Sequence, residues 1–179
     1  MGRNMNLYKT GYIVAIIDND KEFSYRPWPL EEFSNDAEAE KLDNEGDDRW
    51  FMKYDMLQIS PDYDYVSRYN DYCRNIGLDT CILLVESPYK YFEVEEIGNN
   101  DMVYGYDCIG TIGYSYLCKD RISYAVDYEE NGITLNEYGL FDSIDSAEKF
   151  IELYNNCIGA GKNIENYWEM TIIRLSSAI

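Results

Sequence analysis

A chain of 179 residues, 46% of them hydrophobic, has the length and apolar content for one domain with a sizeable core. Thirty-four Asp and Glu against fifteen Lys and Arg give a net charge of −19, a field that repels nucleic acid and anionic membranes and attracts basic protein surfaces. There is no histidine, which removes Ser-His-Asp and Cys-His nucleophilic machinery, histidine general bases and the zinc sites that need imidazole.

Taken in chain order, the apolar material falls in short blocks. Gly11 to Asp18 alternates loosely and is rich in β-branched residues, so it predicts a strand, with a turn at Asn19-Asp20-Lys21. Its six-residue apolar run follows Arg3 and Lys9 but is short for a signal peptide. RPWPL (26–30) has two prolines and is no central strand. Pro29 suits a first helical turn, where Glu31 and Glu32 lie near the positive end of the dipole. From 34 to 48 the only large apolar residue is Leu42, so this stretch predicts a solvated helix or a mobile loop.

Arg49 to Ile59 reads as a strand, and Ser60-Pro61-Asp62 opens a helix capped at Ser60. Val66, Tyr69, Cys73 and Ile76 fall at i, i+3, i+7 and i+10 on one core face, widened by Tyr65 and Tyr72, and Gly77 is a suitable C′ residue. Asp79 to Glu86 is a nearly continuous apolar run and predicts a buried strand. Tyr91 to Ile97 alternates and pairs beside it in this reading. Asp101 to Leu117 carries three glycines and is left mixed. Ile122 to Tyr128 and Ile133 to Phe141 predict a hairpin around Glu130-Asn131-Gly132. Ser143 or Asp145 caps a last helix, with Ala147, Ile151, Tyr154 and Ile158 as its buried stripe and GAG (159–161) as its stop. Trp168 to Leu175 is a final strand. The sum is an α+β fold over 1–179, a single domain: one mainly antiparallel sheet, two packed helices, and an acidic helix or loop over 30–48.

The cysteines, Cys73, Cys81, Cys108, Cys118 and Cys157, are odd in number, form no C-x-x-C and have apolar or aromatic neighbours. They predict buried free thiols in a reducing compartment, hence a cytoplasmic protein. DNDKE (18–22) opens like an EF-hand loop, but Phe23 stands where that loop needs glycine and Pro29 where it needs glutamate. GAGK (159–162) lacks phosphate-loop spacing, and Gly105, Gly110 and Gly113 do not make G-x-G-x-x-G. Asp62, Asp64, Glu86 and Lys90 lack the acid-x-lysine unit of a metal-dependent nuclease. No cofactor and no metal is expected, and no catalytic residue is assigned.

Two features remain. The nineteen tyrosines cluster at Tyr63, Tyr65, Tyr69 and Tyr72 and at Tyr104, Tyr106, Tyr114 and Tyr116; they serve either core packing or an interface. Residues 18–48 hold twelve acids and three bases, close to half the charge excess in about a sixth of the chain. Acids at i and i+3 or i+4 on a helix sit about 5–6 Å apart, a spacing usable by a groove built for phosphates. Glu31, Glu32, Asp36, Glu38, Glu40, Asp43, Glu45, Asp47 and Asp48, with Asp62 and Asp64, are therefore the candidate partner-binding residues.

In size, acidity, tyrosine content and lack of catalytic residues the chain resembles anti-CRISPR proteins, the phage and mobile-element inhibitors of RNA-guided nucleases, and acidic antirestriction proteins that imitate DNA. The resemblance spans the whole chain in character and carries no diagnostic motif, so no residue is transferred. It implies a non-catalytic inhibitor whose partner is a basic, nucleic-acid-processing nuclease, with no direct contact to nucleic acid or membrane. An immunity protein against a basic toxin, or a histidine-free metal-dependent enzyme working with carboxylates, are the alternative readings.

Overall fold

The computed structural model describes residues 5–17, 23–25, 37, 41–42, 59–90, 93–94, 97, 102–110, 130–159 and 170–178. Five strands, β1 (Tyr8–Ile17), β2 (Phe23–Tyr25), β3 (Thr80–Ser87), β4 (Val103–Gly110) and β5 (Met170–Ser177), form one sheet in the order β2-β1-β3-β5-β4. Every pairing is antiparallel. Helix α1 (Tyr63–Asn75) packs on β1 and β3, and helix α2 (Ile144–Gly159) packs on β4 and β5. The α+β reading with a single antiparallel sheet and two packed helices is the fold observed.

Both faces of β1 are buried. Tyr12 and Val14 join Tyr65, Val66, Tyr69, Tyr72 and Cys73 of α1 in one apolar cluster. Ile13 and Ala15 point the other way, into a cluster with Leu83, Val85, Ile173, Leu175 and the α2 residues Ala147, Phe150 and Tyr154. Period-two alternation sends successive side chains to opposite faces, so one strand serves two cores. Each fully buried large apolar side chain contributes roughly 1.5–3 kcal/mol.

The helix ends follow local chemistry. The cap of α1 is Asp62, whose Oδ1 accepts the Tyr65 N–H at 3.0 Å; Ser60 acts one step earlier, its Oγ accepting the Asp62 N–H. The predicted cap thus moves by two residues, because the carboxylate is the group that reaches the free N–H. At the other end Leu78 N–H meets Cys73 O and Gly77 N–H meets Arg74 O, the paired bonds of a Schellman motif with Gly77 at C′. For α2 the cap is Ser143 rather than Asp145: its Oγ accepts the Ser146 N–H. Phe150, absent from the predicted stripe, is buried on this helix.

Two predicted strands are corrected. Ile133–Phe141 is not a strand, and Leu135 and Phe141 make only isolated bridges. Asn136 is the cause: its Oδ1 accepts the N–H groups of Tyr138 and Leu140, its Nδ2 donates to Tyr104 O, and Gly139 N–H returns to Asn136 O. The side chain replaces ladder bonds with a loop. In the predicted strand 91–97, the described residues Glu93, Val94 and Ile97 lie in no strand. The segment left mixed resolves over Val103–Gly110 as β4. All of 49–58 and all of 122–128 lie outside the described residues.

Two glycines admit close neighbours. Each sits at a register shift, Gly11 on β1 and Gly105 on β4, with φ of +155° and +153°. Beside them the neighbouring residues Tyr12 and Tyr106 bridge to Ser60 and Phe141. A Cβ on Gly105 would lie 2.7 Å from Phe141 O and 2.8 Å from Leu140 Cβ. Gly105→Ala is expected to lose about 2–4 kcal/mol of stability through strain and overpacking, read from the midpoint of urea unfolding.

Candidate protein-binding surface

Of the eleven acids singled out by the sequence, Asp62 and Asp64 lie among the described residues; Glu31, Glu32, Asp36, Glu38, Glu40, Asp43, Glu45, Asp47 and Asp48 lie outside them. Asp62 is half-buried and committed to capping α1. Asp64 is exposed in the first turn, where the helix dipole favours an acid. The outer face of α1 is balanced in charge: Asp64 and Asp71 stand beside Arg68 and Arg74. Arg68 lies over the Tyr65 ring at 5.9 Å, and Arg74 donates Nε and Nη2 to Thr80 O at 3.0 and 2.7 Å. Tyr63, half-buried at the helix start, has its phenol pKa raised, first by burial and then by the Asp71 and Asp64 carboxylates.

A different acidic surface lies on and around α2. Asp145, Glu148 and Glu152 follow one another at spacings of three and four residues along one face of α2, and Asp142 lies two residues before its first residue, where its carboxylate accepts the Ser146 hydroxyl. Glu130 and Glu137 are exposed in the loop before it. Lys149 is the one base between residues 130 and 159, and its Nζ donates to Asn131 O at 2.7 Å. Like charges at i and i+4 destabilise a helix by a few tenths of a kcal/mol per pair, a cost that falls on Glu148 and Glu152, whereas Asp145 in the first turn is favoured by the helix dipole. The sequence reading missed it because six acids spread over 23 residues do not stand out by density; the three-and-four spacing was the available signal.

The tyrosines divide. Tyr65, Tyr69 and Tyr72 are core, and Tyr104 and Tyr106 are half-buried against the α2 cluster. Tyr114 and Tyr116 lie outside the described residues. The exposed tyrosines include Tyr8 and Tyr89, which neither sequence cluster contains.

Another acid, facing inward, is held by its partner. Glu86 is 6% exposed and meets Arg174 fork to fork, Nε to Oε2 at 2.5 Å and Nη2 to Oε1 at 2.6 Å. The two are direct cross-strand partners on β3 and β5, and the Glu86 hydrogen bonds raise the Arg174 pKa. Lys9 is the register partner of Glu86 on β1, and Tyr106 that of Arg174 on β4, so four polar residues cross the sheet in one row. Lys90 pairs with Glu93 instead. Asp62, Asp64, Glu86 and Lys90 are therefore engaged at separate places in the fold. Among the described residues no set of three metal-ligating side chains is gathered, and no helix is long and apolar enough to cross a membrane. Cys73, Cys81 and Cys108 are thiols outside any disulfide, the first and last buried. Comparison with known protein families, curated proteins and solved structures finds no match to this chain.

Asp62→Ala is expected to cost about 1 kcal/mol as a lost N-cap, and Asp64→Ala less than about 0.5 kcal/mol as a surface change, both by urea unfolding. The thiols give a second test. Burial, the largest cause, pushes Cys81 from 9.0 up to about 11. The folded chain therefore keeps this proton to higher pH than the unfolded one. The stability contribution is intact below pH 9.0 and is lost as the pH rises to about 11. At pH 8, alkylation of Cys81 should run about a hundredfold slower than that of a free cysteine and rise about tenfold per pH unit, followed by peptide-resolved mass spectrometry.

Proposed function

We propose that this protein is a non-catalytic binding protein that occupies the cationic cleft of a nucleic-acid-processing enzyme, of the RNA-guided nuclease type, with carboxylates in the place of phosphates. The observation that carries the reading is the grouping of charge: Asp145, Glu148 and Glu152 on one face of α2 with Asp142 just before it in the structure, and the nine acids and one base of residues 29–48 in the sequence. Neighbouring carboxylates on a helix face lie about 5–6 Å apart, while duplex DNA carries one charge per roughly 1.7 Å of axis. Arginines and lysines spaced for phosphates are satisfied by either. Exposed pairs are worth about 0–1 kcal/mol each, so affinity comes from many together and weakens steeply with salt.

The test is inhibition of DNA cleavage by a panel of RNA-guided nucleases, with capture from a bacterial lysate at low and high salt. Two charge-reversed variants are compared with the parent: Glu38, Glu40, Asp43 and Glu45 to Lys, and Asp142, Asp145, Glu148 and Glu152 to Lys. At least one should lose inhibition by more than about tenfold while circular dichroism shows the fold retained. Unchanged inhibition by both variants overturns the polyanion reading. A basic toxin as the captured partner transfers the same surface to an immunity function.

A further inference from the structure

We draw no further inference here: the strongest candidate, the surface around the exposed Tyr8 and Tyr89 at the end of the sheet where the Thr10 and Ser87 hydroxyls join β1 to β3, carries nothing, because nothing in the structure shows what covers it.

Discussion

The fold depends on a strand that is buried on both sides. β1 sends Tyr12 and Val14 to the α1 cluster and Ile13 and Ala15 to the α2 cluster, and β3 lies hydrogen-bonded along its length. A chain carrying −19 is pushed apart by its own field. Non-directional burial of apolar surface is the term large enough to offset that push, and it operates in two cores joined through a shared strand. The close edge contacts at Gly11 and Gly105 serve the same end. They let Ser60 and Phe141 lie against strand backbones where any side chain would hold them off.

What the sequence made legible was whatever depends on period and on local chemistry. The α1 stripe of Val66, Tyr69 and Cys73, widened by Tyr65 and Tyr72, is buried as its 3.6-residue spacing requires. Gly77 ends the helix as its lack of a Cβ permits, and the apolar runs of β1, β3 and β5 are strands. What was illegible depends on one side chain overriding a pattern. Ile133 to Phe141 looks like a strand by composition, yet Asn136 takes two backbone N–H groups onto its own oxygen and closes a loop instead. Alternation cannot reveal this, since asparagine is compatible with either outcome until its partners are placed. β4 posed the opposite difficulty, because glycines that suggest irregularity are here the condition for an edge contact.

The proposed binding surface was legible to a different degree. Charge density along the chain pointed to 29–48 and to Asp62 and Asp64. The structure gives Asp62 the work of a helix cap and leaves Asp64 on a face balanced by Arg68 and Arg74. Density cannot see the α2 stripe of Asp145, Glu148 and Glu152, whose acids are separated by Ala147, Phe150 and Ile151 in the sequence and aligned by the helix alone. Nor can it see that Leu42, one apolar residue in a polar run, is buried. A pattern detector discards a single hydrophobe as noise, whereas a core with room for it does not.

The carboxylates thus fall into two kinds, and the difference is energetic. Glu86 faces the Arg174 guanidinium, Asp107, 0% exposed, takes the Cys108 N–H at 2.6 Å, and Asp62 takes the Tyr65 N–H. Each has a carboxylate oxygen met by a donor, as an acid withdrawn from water must. Leaving Glu86 without Arg174 would strand a charge in the sheet, a loss larger than the pair's own net worth. The outward acids are under no such constraint and could have been spread to minimise repulsion. They are instead grouped on and just before α2, and in the sequence around Leu42, where like charges at close spacing repel. A protein of marginal stability keeps such groupings only against a steady mutational pressure to relax them. The cationic partner proposed above would relieve that repulsion on binding.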